Sequence, residues 1–534
     1  MTLRRGPLKA IGSISAATMV SRILGLLRDQ LQAYYFGAGV VTDAFLAAFR
    51  VPNLLRDLFA EGALSSAFVP TFTAEVEQRG TESAWRLANR LITMLILILS
   101  VITVGIVFFA PWILGVYTAG FDPPKMKLAV TMTRILAPFL LFVALAAVAM
   151  GVLNTRGRFF LPALAPAFFN VSAILGLVVL YPVMRSTGLN PGLSLAVGAV
   201  VGGGIQFLVQ VPAMRREGFR FRPELAPSDP GLRRVGKLML PATFGLAATQ
   251  INILVDTVLA SHMGDGPITY LAYAFRLMQL PIGLFGVAIA TANLAHVSRD
   301  VARGDMEGLR TNLGTSLRAA ALLTLPATAG LLALRQPIIR VIFEHGEFGY
   351  VATGKTAAAL LCYALGLYAY SVTKIQVPTF YALGDTRTPV LASATAVGFK
   401  IAANFLLIYL IPKLGGDKFL GLALSTSLAA WINLFLLSRG LKKRVGSLAS
   451  HRVVSTTLKF VALSLIMGLV CGVFHMLLES FLGGGGFSGE LARLLAAVSL
   501  GVGIIGVGAH LMRVPEARTL VTYLRSFVDK REGD

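Results

Sequence analysis

The chain has 534 residues, 55% of them hydrophobic and only 14% charged, with a mean hydropathy of +0.73. A soluble domain carries roughly 25% charged residues, so this composition excludes a water-soluble globular protein and demands lipid as solvent. The net charge of +22 is spread as lysines and arginines between apolar runs, a membrane-topology pattern rather than a nucleic-acid-binding surface.

Stretches of about 20 apolar residues recur from end to end, too closely spaced for soluble domains between them, so helices must satisfy nearly all backbone hydrogen bonds. The expected fold class is an all-α polytopic membrane protein of about fourteen transmembrane helices. Their centres fall near Ala17, Leu55, Leu97, Leu140, Ile174, Val201, Ile251, Leu284, Leu323, Leu365, Ala402, Leu428, Ile466 and Gly501. The first run, from about Ile11, passes through Arg22, Arg28 and Asp29 without a small-residue cleavage site and reads as a retained helix rather than a signal peptide.

In that first helix Thr18, Ser21, Arg22, Gly25, Arg28, Asp29 and Gln32 share one arc of about 120°. A stripe holding two arginines and an aspartate cannot face lipid. It either lines a hydrated cavity or is held by an internal Arg28 to Asp29 ion pair. In the second helix Asp43, Arg50 and Asp57 are spaced by sevens and are followed by Glu61, with Arg56 beside Asp57 and with Pro52 between. Arg276 enters the eighth helix. Guanidinium forks match phosphate oxygens, so these arginines point to an anionic, phosphorylated substrate. Asp256 in the seventh helix and Lys400 in the eleventh form a second intramembrane set, either a direct ion pair or a coupling site for a cation or proton.

Gly349 to Thr356 fits the P-loop pattern. That motif needs a parallel sheet and an acidic magnesium-holding strand, neither of which belongs in this pattern of helices, so no nucleotide is expected. Cys362 and Cys471 lie far apart in apolar runs, and the six histidines show no ligand spacing. Neither a disulfide framework nor a metal is expected. No nucleophile, base and orienting residue can be placed together, so no catalytic residues and no enzymatic activity are expected.

The basic connections alternate with poor ones, about 29 basic residues against about 7, which places both termini in the cytoplasm. Phe49-Arg50 before Pro52 echoes Phe275-Arg276 before Pro281, and Asn154 to Gly157 echoes Gly384 to Arg387, displaced by roughly 226 to 230 residues in the manner of transporter repeats. The expected organisation is a lobe of six helices over 1–225, a second over 226–448, two further helices over 449–514 and a cytoplasmic amphipathic tail over 515–534, with a central cavity between the lobes. The polar stretch Arg215 to Arg234 is the join. The last two helices are apolar nearly all round apart from His475 and His510, and read either as lipid-facing or as a groove for a long acyl or prenyl tail.

The segments Ser21-Arg22-Ile23-Leu24-Gly25-Leu26-Leu27-Arg28-Asp29, Phe36-Gly37-Ala38-Gly39, Thr42-Asp43-Ala44-Phe45, Pro52-Asn53-Leu54-Leu55-Arg56 and Phe59-Ala60-Glu61-Gly62-Ala63 resemble the MurJ/MviN family of lipid II flippases. Phe68-Val69-Pro70, Arg276-Leu277 with Pro281, Phe380-Tyr381-Ala382 and Asp385 with Thr388-Pro389 extend the resemblance over both lobes. The resemblance implies the fold of the multidrug/oligosaccharidyl-lipid/polysaccharide exporter superfamily and alternating access. The implied substrate is lipid II, the undecaprenyl-diphosphate-linked disaccharide pentapeptide of peptidoglycan, moved to the outer leaflet of the bacterial cytoplasmic membrane. Carried over, the substrate-binding positions are Arg22, Arg28, Arg56 and Arg276 with Asp29, Asp43 and Ser21. Phe275 stands where some relatives are expected to hold an acid. Lys400 stands in a region where some are expected to hold a cation, so its tethered charge is a candidate substitute for the ion. No cofactor is expected beyond the membrane potential or a monovalent cation, and the protein is expected to be a monomer. The alternatives are a flippase for another prenyl-diphosphate-linked glycan, a cation-coupled drug exporter, and a non-transporting scaffold for cell-wall enzymes.

Overall fold

A computed structural model of the chain describes residues 6–57, 64–448, 452–483 and 486–512. Glu61 and the tail over 515–534, expected to be amphipathic, lie outside these residues. Among the described residues the secondary structure is helical, with no strand, as the apolar runs require. Ten helical elements among the described residues are long and apolar enough to cross a membrane, and a pair bent by 43° makes eleven when taken as one span. The runs expected near Ala17, Leu55 and Ile251 are helical as well, though they are not among these eleven.

Two compact units are present: Met1–Thr269 with His345–Phe348, and Tyr270–Glu344 with Gly349–Asp534. The first contains α1 (Gly6–Phe36), α2 (Val40–Arg56), α3 (Ser65–Arg79), α4 (Thr81–Tyr117), α5 (Pro123–Leu136), α6 (Phe139–Thr155) and α7 (Phe160–Leu175). A π turn over Gly176–Leu180 leads from α7 into α8 (Tyr181–Ser186), followed by α9 (Leu193–Leu208), α10 (Val211–Arg216) and α11 (Pro230–Ser261). Helix α4 shows how the pattern works. Val101, Phe108 and Trp112 are each more than 70% exposed, an outward stripe at helical spacing suited to lipid tails. Leu91, Leu95 and Leu99 on its opposite face pack with Phe68, Phe72, Leu140 and Val148 in the core. Small residues let other helices approach closely: a Cβ on Gly176 would stand 2.6 Å from the Gly198 Cα.

The stretch expected to join the lobes is strapped onto the first unit. Arg90 Nε donates to Glu224 Oε1 at 2.9 Å, and its terminal nitrogens reach Glu224 and Asp229. Asn89 donates to the Arg220 carbonyl and accepts from the Arg222 amide, both at 3.1 Å. Phe219 packs on Trp85, and Arg158 pairs with Glu217 at 2.9 Å, holding that carboxyl below its usual range. Asp229 then caps α11 by accepting from the Leu232 amide.

The second unit takes in α12 (Pro267–Pro281) after its first turn, a π turn over Ile282–Gly286, α13 (Val287–Arg303), α14 (Met306–Ala333) and α15 (Arg335–Phe343). It continues with α16 (Tyr350–Ala364), α17 (Leu367–Ala382), α18 (Arg387–Lys413), α19 (Leu420–Val445), α20 (Val453–Leu482) and α21 (Gly486–Leu511). The bent pair is α16 and α17. Carbonyls near this break find donors on α19: Ser427 Oγ reaches Cys362 O at 2.6 Å and Trp431 Nε1 reaches Leu365 O at 2.9 Å. Both cysteines are buried and reduced; Cys471 packs where a Cβ on Gly501 would stand 3.0 Å from its sulfur.

Candidate substrate-binding site

The stripe read from α1 is packed against α7. Arg28 donates from Nη2 and Nε to Asp29 Oδ1 at 2.9 and 3.3 Å, and from Nη1 to Asn170 Oδ1 at 3.1 Å. Its guanidinium carbon lies 5.5 Å from the centre of the Phe169 ring, within cation–π range. Asn170 turns its amide nitrogen to the Ser21 carbonyl at 3.0 Å. The ion pair foreseen as the alternative to a hydrated stripe is therefore present, and Arg28 keeps 20% of its side chain exposed. Asp29 and Gln32 are buried, whereas Arg22 is exposed.

Behind Phe169 the rings run in a row. Phe45 stacks on Phe49 at 5.7 Å, Phe49 meets Phe139 at 5.1 Å, and Phe139 meets Phe169 at 5.6 Å. This row connects α2 with the ring under Arg28, so the guanidinium rests on a rigid aromatic support rather than on a loop. At the far end of α2, Arg56 pairs with Asp57 at 3.0 Å and is 26% exposed. Asp57 also accepts from Gln250 of α11 at 3.0 Å.

Asp43 is placed differently from the arginines. It is fully buried in the first turn of α2 and accepts from Lys125 Nζ at 2.9 Å, the Gly266 amide at 2.7 Å, and both the Thr269 amide and hydroxyl at 2.9 and 2.6 Å. These four donors occupy both carboxylate oxygens, so in this arrangement Asp43 fastens the chain to itself. Lys125 bridges onward to Asp265 at 2.8 Å and lies 4.4 Å from the centre of the Phe121 ring. Nearby, the Glu347 amide donates to the Tyr34 carbonyl at 2.9 Å.

Arg276 is exposed on α12, and its neighbour Phe275 sets its ring edge-on to Tyr363 at 5.3 Å. Asp256 is partly buried on α11 in the first unit, and Lys400 is on α18 in the second. Lys400 is only 3% exposed and shares a stripe with Ala392, Ala396, Ala403 and Asn404, a packed face rather than a lipid-facing one. In the P-loop look-alike, Thr353 and Thr356 are buried, and Lys355 lies 5.8 Å from the centre of the Tyr270 ring. Among the described residues no group of three or more His, Cys, Asp or Glu could hold a metal.

The sequence reading missed Asn170, Phe169 and Lys125. A lone asparagine in the apolar run of α7 was a usable signal, since amides at membrane depth need partners. Lys125 sits in what reads as an ordinary polar connection.

The family model described as lipid II flippase MurJ matches residues 32–493. A probable lipid II flippase MurJ of Vibrio cholerae is 36% identical over 451 residues, 83% of this chain and 84% of that protein. The lipid II flippase MurJ of Burkholderia cenocepacia is 37% identical over 442 residues, 82% of this chain and 84% of that one. Among solved structures, a lipid II flippase MurJ in an inward closed conformation superposes with a TM-score of 0.75 at 28% identity, covering 93% of this chain and 99% of the other. An inward-facing multidrug MATE transporter superposes at 0.62 with 14% identity, over 82% of this chain and 95% of its own, a likeness of fold alone.

Proposed function

Because this chain belongs to the MurJ family of lipid II flippases, we propose that its arginines hold the diphosphate of lipid II while the protein carries it across the bacterial cytoplasmic membrane. The chain is a multi-pass transporter that moves the undecaprenyl-diphosphate-linked disaccharide pentapeptide from the inner to the outer leaflet by alternating access. The observation that carries the role of the arginines is Arg28. Asp29, Asn170 and Phe169 fix its guanidinium from three sides while part of it stays open. A pre-oriented fork of this kind gives bidentate contact to phosphate oxygens at little further entropic cost. Arg22 and Arg56 on the same unit and Arg276 on the second supply further positive charge. Ser21 accompanies them, Asp29 orients Arg28, and Asp43 serves the conformation.

The distribution of basic connections places both termini in the cytoplasm. An anion leaving an inside-negative cell gains about 2.3 kcal/mol per charge per 100 mV, and the return of an empty, arginine-bearing carrier is favoured by the same field. Transport therefore needs no nucleotide, and the buried tethered charge of Lys400 takes the place of a coupling cation. The chain has no catalytic role and works as a monomer. The drug-exporter alternative is weakened by chemistry, since arginines in a low-dielectric site repel cationic drugs.

The test is complementation of a bacterial strain depleted of its own lipid II flippase, comparing the parent with Arg28→Ala and Arg276→Ala at matched membrane levels. Rescue by the parent and failure of both variants is expected. Failure of a well-inserted parent would redirect the assignment to another prenyl-linked glycan, and rescue by both variants would overturn the arginine site.

A further inference from the structure

Six ionisable side chains of the second unit meet at one end of α15, α20 and α21. Helix α15 contributes Arg340 and its C-cap residue Glu344 follows; α20 contributes His475 and Glu479, and α21 contributes Glu490 and Arg493. Arg340 Nη1 donates to Glu479 at 3.0 Å and to Glu490 at 3.1 Å. Arg493 pairs with Glu490 through one terminal nitrogen and caps α20 at the Gly483 carbonyl with the other. Helix α14 also packs here, but its ionisable residues Glu307, Arg310 and Arg318 lie towards its other end. Arg335 of α15 is engaged with the Leu332 carbonyl.

Glu344 Oε2, Arg493 Nε and His475 Nε2 are buried in this group without a hydrogen-bond partner among the described residues, and two features bear on the histidine. Two guanidiniums face three carboxylates, so with a neutral imidazole the group carries one net negative charge, and its inner members His475, Glu490 and Arg493 are buried, where an unbalanced charge is costly. His475 is 3% exposed, and its Nε2 has no hydrogen-bond partner among the described residues. The nearest carboxylate oxygen, Glu490 Oε1, is 3.8 Å away, too far for a hydrogen bond. The missing element is one positive charge with a donor at that nitrogen. A proton supplies both.

We propose that His475 is a proton-binding site, loaded from the aqueous face through the half-exposed Glu479, and that protonation at Nε2 pairs it with Glu490 and clasps α20 and α21 against α15. On the topology proposed above this is the outer face of the membrane. The inference does not depend on the identity of the substrate.

The test uses the full chain in lipid nanodiscs with ¹⁵N-labelled histidine, the His475 signal being assigned by its loss in His475→Gln. His475 is expected to titrate reversibly within the pH range in which the protein stays folded, and Glu490→Gln to weaken its proton affinity about tenfold. Glu479→Gln should shift it in the same direction by less, and serves if Glu490→Gln does not fold. In parallel, hydrogen exchange of 486–495, corrected for intrinsic rates, should slow in the parent as the pH falls through that midpoint and should not respond in His475→Gln. A His475 neutral throughout, a midpoint indifferent to the carboxamide variants, or exchange with the same pH response in both proteins would each overturn the proposal.

Discussion

Lys125 Nζ stands 2.9 Å from Asp43 Oδ2, with the two side chains 2% and 0% exposed, although 82 residues separate them in sequence. Truncating one member of such a buried pair leaves the other uncompensated, at a cost of about 3 to 5 kcal/mol. Lys125→Ala is therefore expected to lower the midpoint of thermal unfolding in detergent steeply. Asp265→Asn, which removes only the 55%-exposed partner of the same lysine, should cost below about 1 kcal/mol. Equal losses from the two substitutions would show that Lys125 does not depend on Asp43.

Asn170 tests the support of Arg28. Removing one hydrogen bond to a charged group costs about 1.5 to 3 kcal/mol, so Asn170→Ala should weaken binding of lipid II at least tenfold in a direct binding measurement on purified protein. Arg28→Lys keeps the charge but loses the fork and should fall between Asn170→Ala and Arg28→Ala. Unchanged binding in Asn170→Ala would mean that the asparagine only joins α1 to α7.

Asp385 predicts an acid limit. Hydrogen bonds from the Thr388 amide and hydroxyl, together with Arg444, hold its carboxyl below the usual range. A folded-state value below the unfolded one of about 4 means that the carboxylate contributes stability above about pH 4 and loses it as the pH falls further. Thermal unfolding of Asp385→Asn and parent should thus differ by a constant amount near neutrality and draw together as the pH falls below about 4. A difference that does not begin to shrink as the pH falls below about 4 would contradict this assignment.

Two glycines hold the 345–348 segment against the end of α1. Gly37 has φ +60°, and a Cβ there would stand 2.5 Å from the Glu347 carbonyl oxygen, while Gly346 has φ +59° and faces the Tyr34 backbone. Alanine pays about 1 to 2 kcal/mol for the left-handed conformation alone, and at these positions a backbone clash is added. Gly304, at φ +69° with nothing within 4 Å, provides the control. Gly37→Ala should destabilise clearly more than Gly304→Ala when melting is compared.

The sequence exposed the helices because lipid imposes a length and a composition on each one, and α4 or α20 can be read on those grounds alone. It exposed Arg22, Arg28, Arg56 and Arg276 because a charge in an apolar run needs a reason. It could not show that Arg28 already rests on Phe169 and Asn170, or that Asp43 is enclosed by donors from α5 and from 266–269. Those partners are brought in by packing between distant segments, and neither periodicity nor local spacing carries that information. Glu490 and Arg493 escaped notice likewise: at the head of an apolar helix they resemble interface residues, yet each is only 5% exposed.

The strap from Glu217 to Asp229 has a mechanical consequence. A polar, proline-bearing stretch halfway along a transporter invites the picture of a slack hinge, but its backbone is spliced onto Asn89 and Thr93 and its acids are bolted to Arg90 and Arg158. It works as a splint with no free play, so α11 has a clamped root. Any swing of that helix during a transport cycle must then be taken up as flexure along its own shaft, as in a leaf spring fixed at one end.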